Sequence, residues 1–204
     1  MILDYGMGNI QSILNAFKRL GVTCIASADP TVISKADGII LPGVGAFHSA
    51  MNNLHSLGFY DVLNEQVLHH KKPFLGICLG MQLIAEDSVE SQFTKGLGWI
   101  AAHVTKIETH HKYPVPHVGW NEVNYNNNSL LFNGINEGGH FFFDHSYHVE
   151  CDPNLVVAVC DYGKPIVAGI QKDNIFAVQF HPEKSQRNGA KLLRNFLNFV
   201  KVYR

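Results

Sequence analysis

The sequence lacks a surplus of charge of either sign. Lys and Arg number 16 and Asp and Glu number 17 among 204 residues, which gives a formal net charge of −1. A protein that binds nucleic acid or an anionic membrane surface through electrostatics carries a cluster or a surplus of positive charge. We therefore expect neither a nucleic acid nor a membrane among the partners of this chain.

Long apolar runs and closely spaced cysteines are also missing. No apolar run approaches the roughly 20 residues that cross a bilayer, and the opening residues MILD place no basic segment before an apolar core. We therefore expect no secretion and a cytoplasmic protein. The cysteines form no CxxC pair, so reduced thiols are expected, and any of them could be a nucleophile: Cys24, Cys78, Cys151 and Cys160.

Metal-binding spacings are absent although the chain has 12 histidines. Neither an H-E-x-x-H motif nor a zinc-type Cys/His pattern occurs. The adjacent pairs His69-His70 and His110-His111 would point their side chains apart on a helix or a strand. We expect solvated or locally hydrogen-bonded histidines, no metal and no cofactor.

The composition itself, 46% apolar and 16% charged residues, is typical of a globular domain with a packed core. A single domain spanning residues 1–204 is expected. Strand and helix patterns alternate in the first half, and the strands are continuously apolar, which predicts a parallel sheet covered on both faces. The predicted strands are 1–3, 22–26, 38–41 and 73–77, and the predicted helices are 10–20, a short one from 30, 47–57, 59–70 and 79–85.

The second half is richer in strand patterns, and their short spacing predicts antiparallel pairs. These strands are predicted at 100–107, 119–125, 140–150, 155–160, 166–171 and 175–180, before an amphipathic helix at 188–200. The predicted fold class is therefore α/β, with a mixed, largely parallel sheet flanked by helices.

A cysteine lies between two glycines in the segment GICLG at 76–80. A strand that enters a helix through one sharp turn needs small residues two before and two after the turning residue, as in the G-x-S-x-G elbow of hydrolases. The turn would place the Cys78 sulfur at a helix N-terminus, where backbone N–H groups, including that of Leu79, stabilise negative charge. A lone cysteine is more often a core residue, but Gly76 and Gly80 favour a nucleophile.

A candidate base and a candidate oxyanion site come from two other segments. Residues two apart in an extended chain point the same way, so Glu183 is expected beside His181, fixing its tautomer as the third member of a triad. A surface His and Glu beside a turn proline are common, so this pair alone is weak evidence for a catalytic base. Together with Cys78 it indicates a triad. Gly45, in PGVG at 42–45, could present a backbone N–H to an oxyanion, although an ordinary Pro-Gly turn is an equal alternative.

These motifs resemble those of a known family. G-x-C-x-G-x-Q with a later H-P-E is similar to the class I (triad) glutamine amidotransferases. More narrowly, the chain resembles the glutaminase subunits of imidazole glycerol phosphate synthase in DYGMGN at 4–9, PGVG at 42–45, PHVGWN at 116–121, HSY at 145–147 and QFHPEKS at 179–185. The resemblance covers essentially the whole chain and implies the flavodoxin-like sheet of that family.

The resemblance also implies a mechanism and a set of site residues. Cys78 would attack the side-chain amide of glutamine, while His181 transfers protons and Glu183 orients it. Ammonia would leave, and water would hydrolyse the glutamyl thioester. Gly45 would belong to the oxyanion strand, and the residues that hold glutamine would be Gln82, Glu90, Ser146 and Tyr147.

The resemblance further implies a partner, a (β/α)8-barrel cyclase in a heterodimer. It would use the ammonia to form imidazole glycerol phosphate and AICAR in histidine biosynthesis. Trp120 is expected on the docking surface, the alternative being a satellite core around one Trp. Because an uncoupled glutaminase would waste glutamine, the free subunit is expected to be nearly inactive.

Three alternatives stay open. Asp144 stands where the family has an apolar residue, and the first strand is shorter than the family's; both fit a paralogue that feeds ammonia to a cyclase-like barrel for amidation of surface sugars. A cysteine peptidase of similar fold would lack counterparts of Gln82 and PHVGWN. A non-catalytic binding subunit would not need the complete set of Cys78, His181 and Glu183.

Overall fold

The computed structural model describes residues 1–108, 112–126 and 129–203. The α-helices in these ranges are α1 (Ile10–Arg19), α2 (Phe47–Ser56), α3 (Phe59–Asn64), α4 (Leu79–Gln82) and α5 (Gln186–Val202). The strands are β1 (Ile2–Leu3), β2 (Ala26–Ser27), β3 (Ile39–Leu41), β4 (Phe74–Ile77), β5 (Asp87–Ser88), β6 (Thr94–Lys95), β7 (Ala102–Lys106), β8 (His117–Tyr125), β9 (Gly139–His145), β10 (Tyr147–Cys151), β11 (Val156–Asp161), β12 (Pro165–Lys172) and β13 (Ile175–Val178). None of the helices in these ranges combines the length and the apolar character needed to cross a membrane.

The main sheet has the order β2-β1-β3-β4-β13-β12-β11-β8-β9 in the described residues. The pairs from β2 to β13 are parallel, and the pairs from β13 to β9 are antiparallel. The mixed sheet predicted from the sequence is thereby confirmed. Because the carboxyl ends of β3, β4 and β13 meet at one edge, the segments that follow them, 42–45, 78 and 179–183, converge there.

The helices pack on the two faces of this sheet. Phe74 and Leu75 are consecutive residues of β4, and they belong to different buried clusters. Since side chains alternate across a strand, the two clusters cover opposite faces. Helices α2 and α3 contribute to the first cluster, and α1 and α5 contribute to the second, so both faces are shielded from water.

A second, smaller sheet has the order β10-β7-β5-β6 in the described residues. The prediction of one strand at 140–150 is wrong, because the chain leaves the main sheet at Ser146. β9 pairs with β8 in the main sheet, whereas β10 pairs with β7 in the small sheet. The apolar pattern runs through both strands and does not reveal the change of sheet, which places Ser146 between the two sheets.

Two of the other predicted elements are shorter or different. The strand predicted at 22–26 is reduced to Ala26–Ser27, at the sheet edge, and Ile25 is exposed. The predicted helix 59–70 changes at residue 65 into a π-helix, Glu65–His69. The His110-His111 pair lies outside the described residues.

The helix predicted at 79–85 ends at Gln82 for a tertiary reason. The Ala85 N–H donates to the Gln82 carbonyl at 3.0 Å, and the Glu86 N–H, which a helix through residue 85 would direct to Gln82, donates instead to the Ala102 carbonyl at 2.9 Å. These bonds replace the ones that would have continued the helix. A bonding partner more than ten residues away cannot be read from helical periodicity.

Candidate active site

Cys78 occupies a sharp turn between β4 and α4. Its backbone has φ 53° and ψ −110°, a region that L-residues rarely adopt. A Cβ atom on Gly76 would lie 2.6 Å from the Gly80 carbonyl oxygen, and one on Gly80 would lie 1.9 Å from the Leu41 carbonyl oxygen. The two glycines therefore allow the strand–turn–helix crossing that their spacing predicts.

His181 and Glu183 form a buried pair beside this turn. The His181 Nδ1 atom lies 2.8 Å from Glu183 Oε1, and the side chains are only 3% and 1% exposed. The predicted contact is present, but the predicted reason is wrong: the chain is not extended here, because Pro182–Lys184 form a 3-10 turn. The turn, which begins with proline in its favoured first position, carries Glu183 back beside the ring.

The ring of His181 is polarised from both sides. Glu183 Oε1 lies against its Nδ1 atom, and the Cys78 sulfur is near enough to interact with the ring. Burial lowers the pKa of His181, but its interactions with Cys78 and Glu183 outweigh burial and raise the pKa to about 10. The arrangement therefore favours an imidazolium next to a sulfur that can carry negative charge.

A cavity of about 360 Å³ opens above the Cys78 turn. Seven residues predicted from the sequence line it: Gly45, Cys78, Leu79, Gln82, Glu90, Ser146 and Tyr147. Val44, Pro116, Asp144 and His145 line it as well and were not predicted as site residues. Trp120 does not line the cavity; it lies on β8 with 46% of its surface exposed.

Glu90 links the cavity wall to the segment before α2. Its carboxylate accepts a hydrogen bond from the backbone N–H of Phe47, the first residue of α2. The Tyr147 hydroxyl donates to the Glu90 carbonyl at 3.1 Å. Gly45, two residues before Phe47, has φ +102°, so only glycine holds this bend without strain.

Buried amide and imidazole groups form a network that sequence reasoning missed. Gln82 Nε2 donates to the Tyr147 carbonyl at 2.9 Å and to Gln179 Oε1 at 3.2 Å. His145 Nδ1 lies 2.8 Å from the same carbonyl, and His117 Nδ1 lies 3.0 Å from His145 Nε2. Because a carbonyl only accepts, His145 carries its proton on Nδ1, and its Nε2 accepts from His117.

Burial keeps the two histidines of this network neutral. It lowers the pKa of His145 to about 3 and that of His117 to about 4. His117 is stacked on Tyr162 and Phe143, with centroid distances of 3.8 Å and 4.6 Å. The hydrogen bonds that hold the two rings run to each other and to a carbonyl, so both imidazoles act here as fixed dipoles.

We expect the free energy of unfolding to fall as the pH drops from about 6.5 to 5. Unfolded histidine takes up a proton near pH 6.5, whereas folded His145 resists protonation down to about pH 3. A lowered folded pKa means that the unfolded state binds more protons in this window, so acid favours unfolding. His145 alone should cost about 2 kcal/mol between pH 6.5 and 5, measured by urea denaturation at each pH.

A matched pair of variants isolates this effect. His145→Gln keeps an N–H for the Tyr147 carbonyl and should make the profile clearly less steep above pH 5, leaving the contribution of His117. His69→Gln replaces an exposed histidine and should leave the profile unchanged. Equal stability of the parent at pH 7 and pH 5 would contradict the buried neutral state.

Comparison with known proteins agrees with this geometry. The chain matches the family model described as glutamine amidotransferase class-I over residues 1–199. It is 48% identical over 195 residues to the imidazole glycerol phosphate synthase subunit HisH 1 of Campylobacter jejuni subsp. jejuni, covering 96% of this chain and 97% of that protein. It is 46% identical over 203 residues to subunit HisH 2 of Vibrio vulnificus, covering 99% and 95%.

Solved structures show the same fold at lower identity. A structure described as a glutamine amidotransferase gives a TM-score of 0.76 at 18% identity, covering 98% of each chain. The structure of PurLQS from Thermotoga maritima gives a TM-score of 0.74 at 16% identity, covering 97% of this chain and 96% of that one.

Proposed function

This chain belongs to the class I glutamine amidotransferases, and we propose that it is the glutaminase subunit of an imidazole glycerol phosphate synthase in histidine biosynthesis. Relatives between 41% and 48% identical over nearly the whole chain carry the name of that subunit. The observation that carries the proposal is Cys78 at a strained turn, beside the buried His181–Glu183 pair and below a cavity of about 360 Å³.

The proposed reaction is hydrolysis of the glutamine side-chain amide. The Cys78 sulfur forms a bond to the amide carbon, and the carbonyl oxygen becomes an oxyanion that the backbone N–H groups of Leu79 and Gly45 stabilise. His181 gives a proton to the nitrogen as the C–N bond breaks, and ammonia leaves. Water then attacks the thioester carbon and gives a proton to His181, the C–S bond breaks, and glutamate is released, which leaves Cys78 as a thiolate beside the imidazolium while Glu183 holds Nδ1 throughout.

The substrate contacts follow from which polar groups are still available. Gln82 uses its amide N–H groups on Tyr147 and Gln179, so its carbonyl oxygen is the group that can accept from the substrate. The Glu90 carboxylate suits the substrate ammonium by charge. Ser146 and Tyr147 lie across the cavity, where they can contact the amino-acid backbone.

We propose that the ammonia is used by a (β/α)8-barrel cyclase, which binds this chain to form a heterodimer. Exposed apolar side chains near the cavity support this placement: Trp120 is 46% exposed, Val118 is 56% exposed and Val44 is 44% exposed. Val118 and Trp120 lie on β8, and the first residue of that strand, His117, joins the network at the cavity wall. Exposed apolar side chains of this kind are commonly buried when a partner protein binds.

Replacing Trp120 with alanine should weaken the complex by about 2 kcal/mol or more, because truncating a central aromatic anchor costs that much binding energy. Affinity is measured by titration calorimetry against the barrel subunit, together with the rate of glutamine hydrolysis in the complex. Val202→Ala is the matched control, since Val202 is 86% exposed near the end of α5. Loss of the fold in Trp120→Ala, or unaltered affinity and hydrolysis, would assign Trp120 to packing.

The proposed function is tested by measuring glutamate formation with and without the barrel subunit encoded in the same genome. We expect the free chain to be nearly inactive and the complex with its phosphoribulosyl formimino carboxamide ribotide acceptor to be active, because segment 43–45 is expected to present its N–H only after docking. Equal rates for free chain and complex would contradict the coupling. Hydrolysis without formation of imidazole glycerol phosphate would favour the surface-sugar paralogue.

A further inference from the structure

Gln179 lies directly beneath the candidate nucleophile. It follows β13 and precedes Phe180, and its side chain is fully buried. Its Oε1 atom lies 3.2 Å from Gln82 Nε2, and its Nε2 atom lies 3.7 Å from the Cys78 sulfur. A buried amide needs hydrogen-bond partners on both ends, and here the partners are a cavity residue and the sulfur.

The orientation of the Gln179 amide is forced by its neighbours. The Tyr147 carbonyl can only accept, so the group of Gln82 that faces it at 2.9 Å is the NH₂. That NH₂ also faces Gln179, which must therefore offer its oxygen. The remaining end of the Gln179 amide, its NH₂, then points at the Cys78 sulfur.

Besides His181, the sulfur has two further neighbours, and each suits one of its two protonation states. The Asp144 carbonyl oxygen lies 3.8 Å away and can accept the thiol proton. Once that proton is lost, the carbonyl no longer has a hydrogen to accept, whereas the Gln179 N–H remains a donor. A neutral N–H aimed at a developing thiolate stabilises it without adding a competing base.

We propose that Gln179 is a further catalytic residue of this site, whose side-chain N–H donates to the Cys78 sulfur and holds it as a thiolate, while its oxygen fixes the amide of Gln82. This inference rests on the proposed function only in taking Cys78 as the nucleophile. Through its buried amide, Gln179 connects Gln82, a proposed substrate contact, with the nucleophile Cys78. The orientation of Gln82 and the charge on the sulfur therefore depend on each other.

Gln179→Glu separates the N–H donor from the shape of the side chain. The variant keeps an oxygen for Gln82 but places an acceptor beside the sulfur. The rate at which iodoacetamide alkylates Cys78 is measured against pH on the Cys78 peptide by mass spectrometry. We expect the half-maximal rate to move to higher pH by about one unit or more, and kcat for glutamine in the complex to fall about 10- to 100-fold, with KM changing much less.

Two further variants keep the test decisive. Gln179→Met removes both hydrogen bonds with little change of volume, so its alkylation profile should also shift and its KM should rise because Gln82 loses a partner. If Gln179→Glu does not fold, the methionine variant decides alone. Gln171→Glu is the matched control, since Gln171 lies on β12 and bonds Ser129 away from the cavity, and its profile and kcat should equal the parent's.

Alkylation profiles that match the parent in every folded Gln179 variant would overturn the proposal. This outcome is separate from a failure of the proposed function. The alkylation experiment needs neither glutamine nor the barrel subunit, whereas an inactive parent complex would reject the glutaminase assignment and leave the measured alkylation shift to decide the role of Gln179.

Discussion

Replacing Cys78 with alanine should abolish glutamine hydrolysis, by a factor of at least about 10³, because members of a nucleophile–base unit lose nearly all covalent catalysis when the nucleophile is removed. The alanine side chain has no atom that can form the thioester, and the rest of the cavity is unchanged. Synthesis from added ammonium salts in the complex should persist, since the acceptor site is assigned to the barrel subunit. Both rates are measured on the reconstituted complex.

The control for this variant is another cysteine. Cys151 lies at the end of β10, and burial raises its pKa to about 11, so it carries little thiolate at neutral pH. Cys151→Ala should leave glutamine-dependent synthesis intact. If Cys78→Ala still hydrolysed glutamine, the turn between β4 and α4 would not carry the nucleophile. Loss of ammonium-dependent synthesis in this variant would instead indicate a damaged complex.

The local part of the site was predictable because it depends on short sequence spacings. Gly76 is required by the 2.6 Å contact that a Cβ would make with the Gly80 carbonyl oxygen, four residues further along, and this requirement is visible in the G-x-C-x-G spacing. The short helix predicted from residue 30 is present as the 3-10 helix Pro30–Lys35, and the Asp29 carboxylate accepts from the Thr31 N–H at 2.9 Å at its start. Steric demands within a few residues leave a signature in the sequence.

The rest of the candidate site depends on contacts between segments that are distant in sequence. Gln179 reaches Gln82 across 97 residues and Cys78 across 101 residues, and no spacing rule reports such pairs. Gln179, His117 and His145 are polar residues inside apolar strand patterns. This is the one sequence feature that could have indicated a place for them in the site. A buried polar residue in a strand indicates a bonding partner but not which partner.

The same limit explains the errors in secondary structure. The break at Ser146 occurs inside a continuous strand pattern because β9 and β10 pair with different strands. Helix α4 stops after Gln82 because the Glu86 N–H, which would continue the helix, donates to the Ala102 carbonyl. In both cases tertiary hydrogen bonds override a local preference that the sequence expresses correctly.

Gly80→Ala should destabilise the fold by about 3 kcal/mol or more, as expected when a side chain is forced into closely packed backbone. Alanine in a helix is ordinarily favoured over glycine by about 0.5–1 kcal/mol. At Gly80, however, the added Cβ would lie 1.9 Å from the Leu41 carbonyl oxygen and 2.9 Å from its carbon. Backbone at the end of β3 has no rotamer with which to yield, so the steric term should exceed the helix preference.

The same substitution should also abolish most glutaminase activity. Leu41 directly precedes the segment 42–45, so moving it displaces Gly45 at the cavity, and moving α4 displaces the Leu79 N–H. Urea denaturation and the glutaminase assay are run beside Gly98→Ala. Gly98 has φ +68°, and an added Cβ there would meet no atom of the described residues within 4 Å, so this control should lose only about 1–2 kcal/mol of backbone strain and keep its activity. If Gly80→Ala were no less stable than Gly98→Ala, the close crossing of α4 over β3 would not be what requires glycine at position 80.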